Sequence, residues 1–129
     1  MRTLLTSICL MACLSSSAQA LLGYSYMDIS ETLDDRDVKI GNTEDDNTLY
    51  MSYSSTNNQH VYYFDKDKVC YMYVMSPLTQ VSLNAGVEFY NKNYVIMSDT
   101  HWMMYTSGGT CDIHLIRDGK LTYFLWKIL

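Results

Sequence analysis

HVYYFDKDKVCYMYVM, residues 60–75, reads as two strands around a charged turn, and the pattern returns as DIHLIRDGKLTYFLWK at 112–127. A constant offset of 52 residues (60 to 112) lays Val61, Tyr63 and Phe64 on Ile113, Leu115 and Ile116. It lays Tyr71, Tyr73 and Val74 on Tyr123, Leu125 and Trp126, and carries Tyr50, Met51 and Tyr53 onto Trp102, Met103 and Tyr105. One offset that serves three successive segments and their turns is the mark of internal repetition. Identities are few, so the alternative is chance agreement between strand-rich segments.

The turns support the strand reading. Arg117-Asp118-Gly119-Lys120 predicts a two-residue hairpin centred on Asp118-Gly119, because both central positions of such a turn need positive φ. Asp65-Lys66-Asp67-Lys68 lacks the glycine but keeps polar residues that tolerate turns. Its DKD pattern has neither the glycine nor the downstream Glu of a calcium loop, so a plain hairpin is expected.

Each half opens on a helix signal. Ser25 is a candidate N-cap with Asp28 three residues on, ahead of an apolar face of Tyr26, Ile29 and Leu33. Ser76 and Pro77 suit the N-cap and first position of a second helix, with Leu78, Val81, Ala85 and Phe89 at helical spacing. Gly86 inside that run costs it about 1 kcal/mol. Strands are expected at 38–42, 48–55, 59–65 and 68–75, then at 93–98, 102–107, 111–117 and 120–128. The expected class is α+β: two tandem helix-plus-antiparallel-sheet repeats, about 21–75 and 76–129, helices packed on one face of the sheet, in a single domain. One half alone has too little apolar surface to be stable, and two can share a core.

Residues 1–20 read as a signal peptide, with Arg2, an apolar run from Leu4 to Leu14, and Ala18-Gln19-Ala20 as the cleavage pattern. Leu10-Met11-Ala12-Cys13 is similar to a lipoprotein box, and the alternative is a lipid anchor at Cys13. Either route implies export to a periplasmic or extracellular compartment. No later apolar run is long enough to span a bilayer.

Without Arg2 the chain holds eight cationic and fourteen anionic groups, a net charge of −6 (8 − 14). That balance argues against nucleic acid and against anionic lipid surfaces. Eight acidic residues fall within 28–46, against Arg36 and Lys39 alone. They are either a solvated, solubilising face or a patch that steers a basic partner. Cys70 and Cys111 remain after the leader. In an oxidising compartment the pair suggests one disulfide, and the alternative is two small core fillers.

Twelve tyrosines in 129 residues are the strongest compositional signal. Strict alternation over 68–75 puts Val69, Tyr71 and Tyr73 on one face and Cys70, Met72 and Val74 on the other. The matching strand sets Leu121, Tyr123 and Leu125 against Thr122, Phe124 and Trp126. Met72, Val74, Phe124 and Trp126 are then expected to face the helices. Tyr71, Tyr73 and Tyr123 are left on an open face that Tyr63 and Tyr105, and also Tyr53 and Tyr62, extend. Tyrosine suits half-buried strands in any case. As a group these five residues, Tyr63, Tyr71, Tyr73, Tyr105 and Tyr123, are the candidate protein-binding surface, since tyrosine offers large contact area and a polar tip at low entropic cost.

An acidic, exported chain with this order of elements resembles the β-lactamase inhibitor protein architecture. CYMYVMSP (70–77) followed by VEFYNKNY (87–94) resembles small exported proteins of the Bacteroidota type. The first resemblance implies a fold of tandem helix-plus-sheet units, and neither assigns a residue or a function.

Little points to chemistry. His60 and His101 flank expected turns, His114 lies within a strand, and none has a metal-binding spacing. Cys111 and His114 have opposite parity on one strand, so they do not form a dyad. Gly108-Gly109 has no helix after it and is a turn, not a phosphate cradle. No cofactor or metal is expected. The resulting expectation is a non-catalytic secreted or periplasmic protein-binding module, inhibitor-like or immunity-like, with an unspecified protein partner. The alternative is a structural or assembly component of the cell envelope, anchored through Cys13.

Overall fold

A computed structural model describes residues 21–106 and 109–129. The leader reading of 1–20 and the Cys13 anchor lie outside those residues. A short helix, α1 (Tyr26–Thr32), leads into four strands: β1 (Lys39–Asn42), β2 (Leu49–Ser54), β3 (Asn58–Phe64) and β4 (Cys70–Pro77). A longer helix, α2 (Gln80–Asn93), precedes β5 (Val95–Ser98), β6 (His101–Thr106), β7 (Gly109–Asp118) and β8 (Leu121–Ile128). All eight strands belong to one antiparallel sheet in the order β1-β2-β3-β4-β8-β7-β6-β5.

The α+β expectation of two helix-plus-sheet repeats is therefore corrected. The fold is mainly β, with helices of only 7 and 14 residues. The strands fuse into one sheet because β4 pairs with β8 along Tyr73–Trp126, Val74–Leu125 and Met75–Phe124. That pairing spans some fifty residues of chain, so no local pattern encodes it.

Local rules explain the elements. Ser25 caps α1 by accepting from the Asp28 amide at 3.2 Å, which satisfies one of the orphan N–H groups of the first turn. Ile29 and Leu33, four apart, are buried under it. α2 starts later than expected. Thr79 is its N-cap and accepts from the Ser82 amide, while Pro77 closes β4 opposite Asn58. Its buried face also differs. Leu83 and Tyr90 are buried, whereas Leu78 and Val81 are exposed. Gly86 sets this choice, since a Cβ there would stand 3.1 Å from the Phe124 ring.

The 117–120 turn is offset by one residue from its expected centre. Asp118 pairs with Leu121, so Gly119 and Lys120 form the loop. Gly119 alone carries positive φ, at 63°, the pattern of a hairpin with glycine at its first central position. In the 65–68 turn, Asp65 Oδ1 accepts from the Asp67 and Val69 amides, and Lys68 takes up φ 60°.

The core lies between the helices and one face of the sheet. Tyr90 of α2 is its hub, edge-on to Phe124 at 4.8 Å, Trp126 at 5.6 Å and Trp102 at 5.5 Å. The indole of Trp126 donates to Tyr90 Oη, and that of Trp102 to Asn91 Oδ1. Under α1 the ring of Tyr26 packs edge-on to Phe64 at 5.4 Å. Leu21 and Leu22 complete this end. Cys70 and Cys111 are both buried and free. β8 runs between their strands, so two strand spacings of about 4.8 Å each separate the backbones, beyond the reach of a disulfide. Burial pushes the Cys70 thiol up to about 12 and raises that of Cys111. Both behave as core fillers.

Candidate functional site: the open face of the sheet

Both helices lie against the face that carries Phe64, Phe124 and Trp126, and among the described residues nothing covers the other face. Register places Val61, Tyr63, Met72, Val74, Tyr123, Leu125, His114 and Met103 on it. These side chains are half-buried although no layer lies over them. Large neighbours on adjacent twisted strands shade one another.

The five candidate tyrosines separate into three groups. Tyr63, Tyr71 and Tyr123 gather in one patch, together with Tyr50, whose ring lies 6.5 Å from that of Tyr63. Their proximity shows in the Tyr63 phenol, raised first by burial and then by the Tyr71, Tyr123 and Tyr50 hydroxyls. Tyr105 is exposed but stands apart on β6, its hydroxyl donating to Met103 Sδ at 3.7 Å.

Tyr73 is in the core, which corrects its assignment to the binding face. The cause is a bulge: Tyr63 pairs with Met72 but Phe64 pairs with Cys70, leaving Tyr71 as the extra residue. Alternation therefore flips across it. Cys70, Tyr73 and Met75 face the helices, and Met72 and Val74 face out with Tyr63 and Val61. The expectation that Met72 and Val74 point at the helices fails for this reason, while Phe124 and Trp126 do point there.

Tyr53 and Tyr62 are also buried, not open. With Tyr73 and His60 they form an aromatic stack across β2, β3 and β4. Tyr53 lies 4.5 Å from His60, and Tyr62 lies 4.8 Å from Tyr73. Arg36 covers the outer end, 5.3 Å from the Tyr53 ring centre. His60 Nδ1 is 2.6 Å from Tyr73 Oη, and its Nε2 is 3.4 Å from Ser55 Oγ. Burial holds the Tyr73 phenol well above 10, so it keeps its proton and donates to Nδ1. The His60 imidazole is pushed down to about 4, by burial first and the Arg36 charge second.

A second cluster occupies the β6–β7 part of the open face. His101 pairs with His114 across the strands, and their rings stack with centroids 4.1 Å apart. Both Nε2 atoms hydrogen-bond to one carboxylate: His101 to Asp112 Oδ1, and His114 to Asp112 Oδ2 at 3.1 Å. Burial pushes the Asp112 carboxyl up, but the hydrogen bonds and charges of the two histidines outweigh it and hold it low. The sequence carried part of this signal. Asp112-x-His114 on a strand shares one face, and the antiparallel pairing of β6 with β7 brings His101 opposite His114. Reading the histidines one at a time missed it.

Beside Tyr71 a cleft of about 830 Å³ is lined by Asp46, Asn47, Asp65, Lys66 and Lys68 among others. The Asp46 carboxyl is held low by hydrogen bonds from Thr43 and Thr48, as a turn residue and not as a poised acid. No helix among the described residues is long and apolar enough to cross a membrane. Neither protein-family models, nor curated proteins, nor solved structures give a match to this chain.

Proposed function

We propose that this is an exported, non-catalytic protein-binding module whose working surface is the open face of the sheet. The observation that supports this most is the gathering of Tyr50, Tyr63, Tyr71 and Tyr123 on the face that neither helix covers. Such a patch provides rigid aromatic anchors with polar tips, the composition of an interface centre. Its rim at the β1–β2 turn is acidic, with Glu44, Asp45 and Asp46 exposed next to β2, and the whole chain carries a net charge of −5. The partner is accordingly a folded protein with a basic surface around an apolar centre, since such complementarity speeds encounter and fixes register. A non-catalytic role fits the titrating groups. Among the described residues the shifted carboxyls move down and the shifted thiols move up, away from the neutral range that acid–base catalysis uses.

The test compares wild type with a Tyr63→Ser, Tyr71→Ser, Tyr123→Ser variant in quantitative pull-down from envelope extracts at low and high salt. The expected result is a basic protein retained by wild type, released by salt, and lost from the triple variant. A partner held equally by both forms, no retained partner at all, or concentration-dependent pairing of the chain with itself through this face would each overturn the reading.

A further inference from the structure

The open face carries one group that protein docking does not explain: three metal-ligating side chains whose donor atoms lie close together. We propose that His101, Asp112 and His114 bind one late first-row divalent transition-metal ion, Cu²⁺ or Zn²⁺. Asp112 and His114 project from the same face of β7, two residues apart, and His101 is the cross-strand partner of His114 on β6. One donor atom from each, counted together, lies within 4.8 Å of the other two. A tetrahedral ion with bonds of about 2.0–2.1 Å sets its donors about 3.3 Å apart, inside the range that these side chains already span. Small rotations of side chains held on two paired strands bring them into place, with no change in the backbone.

Fastening β6 to β7 is the competing role for the cluster, but ten-residue β7 already pairs with β6 from His101 to Thr106 through the ladder itself. The side chains also stay open to an ion, with exposures of 26% for His101, 21% for Asp112 and 44% for His114. Two imidazoles and a carboxylate suit copper, zinc or nickel, and the general affinity order puts Cu²⁺ first. The same three ligands are too few and too nitrogen-rich for Ca²⁺ or Mg²⁺. Three protein ligands leave further positions to water or to a side chain from outside. Lys127, opposite Asp112 on β8, and Met103, opposite it on β6, border the site, so an incoming cation meets one positive neighbour and one thioether.

The experiment titrates the full, untagged, metal-stripped chain with Cu²⁺ and Zn²⁺ by calorimetry, with Mg²⁺ and Ca²⁺ as controls. One equivalent per chain is expected, and Cu²⁺ resonance spectra should show coupling to two nitrogens. Loss of an outer-sphere partner alone costs about 10–100-fold in affinity, so Asp112→Asn and His114→Gln should weaken binding by at least that factor. His114→Gln should also leave one coupled nitrogen. Asp112→Asn keeps both rings and the side-chain size, so its result stands even if His114→Gln loosens the hairpin. Cys111→Ser and His60→Gln should bind as wild type does. Absence of saturable binding, binding that survives Asp112→Asn and His101→Gln together, or preference for Ca²⁺ would overturn the site. The triple-tyrosine variant should still bind metal, so failure of the docking surface and failure of this site are separable.

Discussion

An imidazole sealed among phenols has its charge decided by its surroundings. His60 is only 7% exposed, stacked on Tyr53, bonded to Tyr73 and within the field of Arg36. With its folded value near 4 against an ordinary 6.5, the unfolded chain takes up a proton that the folded chain refuses. The contribution to stability is therefore complete above 6.5 and is lost as pH falls toward about 4. At about 1.36 kcal/mol per unit, its ceiling is roughly 3 kcal/mol. Urea unfolding across that window should show wild type losing more stability than His60→Gln, while equal slopes would contradict the buried, neutral histidine. Titration of Asp112 is common to both proteins and cancels. From sequence, His60 reads only as a residue beside a turn. Its burial depends on strand pairing that places Tyr53 and Met75 on either side of it.

At the scale of elements, most strands were legible because alternation and turn residues are local signals. The expected 48–55 and 102–107 correspond to β2 and β6, and Ser25 caps α1 as read. What was not legible was phase. One bulged residue, Tyr71, reverses the faces of everything after it in β4, so Tyr73 moves from the surface to the core. α2 shows the same limit. Apolar residues recur on more than one of its stripes, and only the Phe124 ring beneath Gly86 selects Leu83 and Tyr90 over Leu78 and Val81. That contact makes Gly86→Ala informative. Helix propensity favours alanine by about 1 kcal/mol, while forcing a methyl against a fixed ring costs about 1–3 kcal/mol. Phe124 is fully buried and held edge-on by Tyr90, so it cannot yield. A net loss of about 1 kcal/mol is expected from thermal or urea unfolding. An unchanged or raised stability would show that helix and sheet stand farther apart.

For the whole molecule the deciding feature is the seam between β4 and β8, which turns two runs of hairpin strands into one eight-stranded sheet. The two helices lie on one side, and among the described residues nothing covers the other. Element order along the chain was readable, but the number of sheets was not, because the seam joins residues far apart in sequence. The same pairing brings tyrosines from β2, β3, β4 and β8 onto one face and sets the histidine–aspartate cluster of β6 and β7 beside them, with His114 opposite Leu125 of β8. Tyrosine nitration mapped by mass spectrometry, with and without the protein retained in pull-down, tests the use of that face most directly. Protection should concentrate on Tyr63, Tyr71 and Tyr123 and leave exposed Tyr24 and Tyr105 reactive. Protection of Tyr24 and Tyr105, with the patch still open to reagent, would contradict it.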